Sequence, residues 1–422
     1  MSRGEFDLRS VGVIPRGVSA LVSVPGSKSI ANRALVCASL AEGDSRILNL
    51  PDGDDTGALV DALPILGALA HRHGAAIDIT GVAGRPLAGR FNAGLAGTTS
   101  RFLCAVAALA TGESNITGEA PLRARPFGDL LEALRGLGAE VMADGAGLPA
   151  RIVGPIRGGE VSLDAHVSSQ FVSALLLAGP CMTDGLVLRL DGAQVSRPYI
   201  DMTIEVMSRF GASVREGSNT LSVDPSGYRA ATLEVEPDAS SASYPAAIAA
   251  LCGAEILIEG LGEKSLQGDV AFRELLATMG VTVEVSDAGT RVVGSGEPLA
   301  PLEADMRHCS DLVPTFAVLA AFAEGRSRIT GIGFIRNKES DRIADLAAGL
   351  AACGARVTVE DDGLQIEGGG LHGARVPTHH DHRLAMAFGV LGCAVPGMIV
   401  EDPEVVTKSW PGFWTMLDGL SG

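Results

Sequence analysis

Aromatic side chains are scarce in this chain of 422 residues, at 2 Trp, 3 Tyr and 12 Phe, so its core has to be filled by small aliphatic residues. Paired cysteines are missing as well. The seven stand singly at positions 37, 104, 181, 252, 309, 353 and 393, without a CxxC, which excludes a disulfide framework and a zinc ribbon and predicts a reducing, cytoplasmic setting. No stretch approaches about 18 uninterrupted apolar residues, and the opening MSRGEFDLRS carries acidic residues and no apolar run. Neither a membrane span nor a signal peptide is expected. Basic residues are in deficit, 33 Lys and Arg against 50 Asp and Glu, and the formal charge of -17 sets the global field against nucleic acid and anionic lipid. A dinucleotide fold lacks its signature, since no GxGxxG follows the first strand, and no GxSxG marks an acyl hydrolase. What is abundant is glycine, 54 residues, and apolar character, 46% of the chain, over a length that accommodates two or three domains with full cores.

One pattern recurs along the chain: a polar cluster, about 12 residues rich in Ala, Leu and Val, a break containing Gly, and a short β-prone run. Copies begin at Ser27, Gly97, Ser168, Asp238, Ser310 and Asp381; Arg33 in the first and Arg383 in the sixth are 350 residues apart, five steps of about 70. Between them lies a second helical pattern with apolar residues at i, i+3, i+4 and i+7, as at Leu131, Leu134 and Leu137, closed by a Gly and followed by alternating strand residues. Each unit therefore reads β-α-β-α-β-β. The first helix type is apolar on nearly every face and is predicted to be buried; the second is amphipathic and is predicted to cover it. Each buried helix should open on a Ser, Thr or Asp N-cap, and several parallel helix N-termini aimed at one place would attract anions inside an acidic protein.

The openings also hold the chain's unusual polar residues. VPGSKS places Ser27, Lys28 and Ser29 at the first helix mouth with Arg33 about one turn on, a spacing that suits a phosphate or carboxylate but is not a P-loop, which needs a Gly directly before the Lys. AGTTSRF sets Gly97 and Arg101 at the second, LRARP presents Arg123 and Arg125, and SSQF offers Ser168, Ser169 and Gln170. SRPYID supplies Ser196, Arg197 and Tyr199; RNKESDR supplies Lys338, Glu339 and Arg342; TKSWP supplies Lys408. Taken singly, each has an ordinary reading as a helix cap or a solvated charge. HHDHR, with His379, His380, Asp381, His382 and Arg383, lacks the HxxxH spacing of a helical metal site, and no metal is expected.

Taken together, VPGSKSIANRAL, AGTTSRF, RARP, SSQF, SRPYID, DASSASY, RNKESDR, DHRLAM and TKSWPGF resemble the 5-enolpyruvylshikimate-3-phosphate synthase family, in order from about Val24 to Phe413. The resemblance implies an inside-out α/β barrel of two similar domains, each of three β-α-β-α-β-β units with pseudo-threefold symmetry. One domain would combine residues 1–20 with 238–422 and the other span 21–237, with hinges near Ala20 and Pro237 and substrates between them. It implies transfer of the enolpyruvyl group of phosphoenolpyruvate to the 5-hydroxyl of shikimate-3-phosphate by a cytoplasmic monomer without a cofactor. Lys28, Gly97, Arg125, Gln170, Arg342, Arg383 and Lys408 resemble the phosphoenolpyruvate site. Lys28, Ser29, Arg33, Ser168, Ser169, Gln170, Ser196, Tyr199, Asp311 and Lys338 resemble the shikimate-3-phosphate site. Asp311 and Glu339, with Lys28, match the groups that move protons, and which group moves which proton stays open.

Three positions depart from the family pattern: Leu95 stands where an Asn is usual, Phe102 where a Pro is common, and Ser310 where a Pro often precedes the Asp. Leu95 leaves open an enolpyruvyl transferase with another phosphorylated or nucleotide acceptor. A non-catalytic hinged anion-binding protein is the alternative from a different class.

Overall fold

The computed structural model describes residues 7–164, 168–192 and 195–421. The chain divides into two compact units, a central one, Gly26–Glu236, and a terminal one, Met1–Pro25 with Pro237–Gly422. The first crossing thus lies beyond the hinge expected near Ala20. Ser19–Val22 is a strand of the terminal unit, paired in parallel with Glu255–Glu259, and this pairing holds the chain there until Pro25.

The central unit carries α1 (Lys28–Leu40), α2 (Asp54–Ala62), α3 (Gly97–Ala107), α4 (Ala120–Arg123), α5 (Gly128–Gly136), α6 (Ser169–Ala178) and α7 (Arg197–Arg209). Its helices α1, α3 and α6 are buried on nearly all faces and touch one another. Around them lie three four-stranded sheets. In two of them the strand before the inner helix pairs in parallel with the strand after it, for example Arg90–Asn92 with Gly112–Thr117, while in the third Thr232–Glu234 from the end of the unit takes that place beside Asp44–Leu48; a closing hairpin adds two antiparallel strands to each.

The terminal unit repeats the plan with α8 (Ala239–Cys252), α9 (Phe272–Thr278), α10 (Val313–Phe322), α11 (Arg342–Ala352), α12 (His382–Ala394) and α13 (Phe413–Ser421). Here α8, α10 and α12 form the inner trio. Two of its sheets have four strands; the third has three, because the last module ends in α13 and takes Leu8–Ser10 from the chain start as its edge. Helices are therefore inside and sheets outside within each unit. The apolar inner sequences dictate this order, since a helix such as VPTFAVLAAF has no polar face to offer water. The sheets' outer faces carry cross-strand ion pairs instead, such as Arg328 with Glu360 at 3.0 Å.

A glycine ends the hairpin in successive modules for one steric reason. A Cβ on Gly154 would lie 2.2 Å from Ala108 O, and one on Gly368 would lie 2.1 Å from Ala323 O, so only a hydrogen allows the strand to cross the end of the inner helix.

Helix openings depart from expectation at two of the six inner helices. Ser168, Asp238 and Asp381 cap through their side chains, and Ser27 stands at the N-cap of α1 without a side-chain bond. The N-cap of α3 is Ala96, which has no oxygen to give, and Ser310 and Asp311 lie in a 3-10 turn before α10 rather than capping it. α3 thus opens without a side-chain cap, whereas at α10 the turn itself takes the Val313 N–H on Ser310 O and Pro314 has no N–H to satisfy.

Candidate active site

Each unit gathers its unusual polar residues at helix mouths, of inner helices and of the outer helices α2 and α11 beside them. In the central unit Lys28 opens α1, and its Nζ lies 2.9 Å from Asp55 Oδ2 in the first turn of α2. Thr99 of α3 donates to Asp55 O at 2.7 Å, and Asn32 Nδ2 reaches Thr99 Oγ1 at 3.4 Å. Three helix starts are thus laced around one lysine. Asp55 was not among the residues the sequence singled out; its only signal was an acidic pair opening the second helix, which the helix dipole explains by itself.

Arg33 is buried, with Nε 2.7 Å from Thr203 Oγ1, NH1 2.8 Å from Ser29 O, and NH2 3.1 Å from both Ser173 Oγ and Tyr199 O. Burial lowers its pKa to about 10, still far above neutrality, and its guanidinium lies 5.4 Å from the Phe102 ring. The geometry brings Ser29, Arg33 and Tyr199 together through the backbone oxygens of Ser29 and Tyr199. It also explains Phe102, which supplies the aromatic face on which the buried cation rests.

Gly97 is the first residue of α3, and a Cβ there would fall 2.5 Å from Arg125 NH1 and 2.8 Å from Arg101 NH1. Two guanidinium groups therefore approach the backbone because no side chain stands in the way. Arg101, quoted in its motif but given no role, donates to Gln170 Oε1 at 2.9 Å and lies over the rings of Phe127 and Phe171 at 4.8 and 5.4 Å. It carries Gln170 toward the mouth of α3. Ser168 accepts from Gln170 N at 3.2 Å, so its hydroxyl serves the cap, while Ser169 is buried and Ser196 is held in left-handed backbone at φ 53°. Arg197 pairs with Asp201 at 2.6 Å and with Glu216, a surface role.

The terminal unit holds a denser cluster. Asp311 bridges two guanidinium groups, Oδ1 3.0 Å from Arg342 NH1 and Oδ2 2.6 Å from Arg383 NH2. Arg342, with a side chain 1% exposed, also meets Glu339 at 2.6 Å and Asp381 at 2.7 Å, and Glu339 in turn lies 3.2 Å from Lys408 Nζ. Burial pushes the Asp311 carboxyl up, but Arg383, Lys338 and Arg342 outweigh it and hold the group well below the usual carboxylate range. For Arg342 the balance has the opposite sign: burial lowers its pKa, and Asp381, Glu339 and Asp311 raise it further than burial lowers it. Asp381, read from the sequence only as a helix opening, was given no part in the cation cluster. Completely buried, it caps α12 through Arg383 N at 2.9 Å and fixes Arg342 from below, tying two cations into one frame. His379 and His380 turn to different partners, Asp345 at 3.6 Å and Asp402 at 2.8 Å.

Repeated modules with buried cations at inner-helix mouths define an α/β enzyme built to hold several anionic groups while carboxylates stand among them. The family model for EPSP synthase (3-phosphoshikimate 1-carboxyvinyltransferase) matches residues 14–417, and the chain belongs to that family. It is 41% identical over 409 residues to the 3-phosphoshikimate 1-carboxyvinyltransferase of Methanoculleus marisnigri, covering 95% of this chain and 97% of the relative. The corresponding protein of Methanothermobacter thermautotrophicus is 40% identical over 396 residues, with 93% of each chain covered. Among solved structures, an EPSP synthase from Acinetobacter baumannii superposes with a TM-score of 0.80 at 27% identity over 98% of both chains. The enolpyruvyl transferase NikO of Streptomyces tendae, at 20% identity and a TM-score of 0.75 over 98% of this chain and 97% of its own, shares the fold.

Proposed function

We propose that this chain transfers the carboxyvinyl group of phosphoenolpyruvate to the 5-hydroxyl of shikimate-3-phosphate, a step of the shikimate pathway to aromatic amino acids. The 5-oxygen bonds to C2 of phosphoenolpyruvate as its proton leaves and C3 gains a proton. In the second step the C2–O bond to phosphate breaks, C3 gives up a proton, and the enol ether and inorganic phosphate are released. Such a reaction needs cations to hold phosphate and carboxylate groups, and carboxylates to move protons. In this reading Lys28, Gly97, Arg125, Gln170, Arg342, Arg383 and Lys408 hold phosphoenolpyruvate. Ser29, Arg33, Ser168, Ser169, Gln170, Ser196, Tyr199 and Lys338 hold shikimate-3-phosphate, and Lys28 and Asp311 border it.

The observation that carries the reading is the placement of Asp311 and Glu339 between Arg342, Arg383 and Lys408. While Asp311 is bound to two guanidinium groups it is a counter-ion and a poor base. An incoming substrate anion competes for the same guanidinium groups, loosens their hold and raises the proton affinity of Asp311. Binding thereby converts a structural carboxylate into a base next to the hydroxyl that must be deprotonated. We extend the reading to a cytoplasmic monomer, which light scattering and cell fractionation test; among the described residues no helix is long and apolar enough to cross a membrane.

The test is phosphate release from the two substrates together. Turnover that requires both is expected, and absence of product with shikimate-3-phosphate but not with another hydroxyl acceptor would overturn the assignment. Lys28→Met should lower turnover by two or more orders of magnitude without unfolding the chain, because a charge that meets the transition state is lost.

A further inference from the structure

Arg33 carries its charge into the interior of the central unit, with 2% of the residue exposed, and among the described residues no carboxylate pairs with it. Arg342 of the terminal unit, similarly buried, meets three. Every acceptor bonded to Arg33 is neutral: the hydroxyls of Thr203 and Ser173 and the carbonyl oxygens of Ser29 and Tyr199. A buried charge without a counter-ion is costly unless hydrogen bonds hold it, and it keeps its full pull on an anion that arrives.

The two hydroxyls lie on different helices, Ser173 on α6 and Thr203 on α7, and both are completely buried. Thr203 donates its single proton to Tyr199 O at 2.7 Å, so in the 2.7 Å bond between the hydroxyls Ser173 is the donor. Thr203 Oγ1 is left to accept twice, from Ser173 and from Arg33 Nε at 2.7 Å, and Ser173 Oγ accepts from a terminal nitrogen of Arg33 at 3.1 Å. That nitrogen gives its second proton to Tyr199 O at 3.1 Å, and the other terminal nitrogen gives one to Ser29 O at 2.8 Å. Of the five N–H groups of the guanidinium, one therefore stays uncommitted, on the nitrogen beside Ser29 in the first turn of α1.

We propose that Thr203 and Ser173 are positioning residues for Arg33: as neutral acceptors they fix the plane of the guanidinium, leave its charge uncompensated, and turn its one uncommitted N–H, beside Ser29, to the phosphate of the hydroxyl acceptor. A carboxylate in either place would hold Arg33 as firmly but would cancel the charge that the phosphate needs. The inference rests on reading Arg33 and Ser29 as holders of shikimate-3-phosphate.

Calorimetric titration with shikimate-3-phosphate gives Kd directly, and phosphate release gives KM for each substrate, in the wild type, Thr203→Val, Thr203→Ser, Ser173→Ala and Arg33→Met chains. Valine keeps the shape of threonine but removes the acceptor of Arg33 Nε and of Ser173, so Kd and KM for shikimate-3-phosphate should rise about tenfold. KM for phosphoenolpyruvate, measured with the acceptor saturating, should stay within about twofold, a split that a general loosening of the unit would not give. Thr203→Ser keeps the hydroxyl and should restore the wild-type Kd, and Ser173→Ala should raise Kd as Thr203→Val does. In the Arg33→Met background Thr203→Val should add almost nothing. A wild-type Kd in either Thr203→Val or Ser173→Ala, a Thr203→Ser chain as weak as Thr203→Val, or full additivity with Arg33→Met overturns the proposal. Should Thr203→Val fail to fold by circular dichroism, Ser173→Ala decides. An unchanged Kd in Arg33→Met would remove Arg33 from the site and this inference with it. Wild-type protein that binds shikimate-3-phosphate but releases no phosphate with phosphoenolpyruvate would sink the reading of function, while the Kd series still judges Thr203 and Ser173.

Discussion

Replacing Arg342 with Met tests how far the terminal cluster is a structural unit as well as a chemical one. The guanidinium is 1% exposed and meets Asp311, Glu339 and Asp381 at 3.0, 2.6 and 2.7 Å. Methionine fills much of its volume and carries no charge. Asp381 would keep only Ser340 Oγ at 3.3 Å, Arg383 N at 2.9 Å and the His382 ring nearby, and it has no access to water. Breaking a buried pair by removing one partner costs about 3–5 kcal/mol, a large part of the roughly 5–15 kcal/mol that holds a domain folded. For a unit of about 200 residues this corresponds to a fall in Tm of roughly 6–20 °C. Calorimetry on the wild type, Arg342→Met, Asp381→Asn and the double variant measures it. The double variant should recover more than about 1 kcal/mol of the summed single losses, because neutralising Asp381 removes the orphaned charge. An unfolding free energy for Arg342→Met within about 1 kcal/mol of wild type, or strict additivity, would refute the reasoning that these charges are held by one another.

Gly97→Ala places a methyl group against the guanidinium ends of Arg125 and Arg101, not on backbone, and KM for phosphoenolpyruvate should rise about tenfold as they are displaced. An unchanged KM would take the close approach at α3 out of substrate binding. Asp55→Asn removes the charge that pins Lys28 at 2.9 Å, and kcat/KM should fall about tenfold. Combined with Lys28→Met it should add almost nothing further, since the two act as one unit; full additivity in steady-state assays would show that Asp55 works elsewhere.

Much of this molecule was legible from local order along the chain. An apolar run without a polar face must be buried, and an amphipathic run with glycine after it must lie over another surface. These rules marked the inner and outer helices in both units and the recurrence near 70 residues. The cations were equally visible, because Lys28, Arg342 and Arg383 stand at helix mouths where positive charge is otherwise unfavourable. Hidden were their partners. Lys28 meets Asp55 and Arg342 meets Asp381, pairs 27 and 39 residues apart in sequence, and Arg33 donates to Thr203 across 170. No periodicity encodes which acid a buried base will meet, because that depends on how separate helix ends are brought together by strands between them. The same limit applies to the first crossing: Ser19–Val22 reads as an ordinary strand, and only its pairing with Glu255–Glu259 assigns it to the terminal unit. Burial of side chains can be deduced from composition along a helix; the direction of a charge's neighbours is a property of the assembled fold, and the chemistry proposed for Asp311 and Glu339 depends on those neighbours.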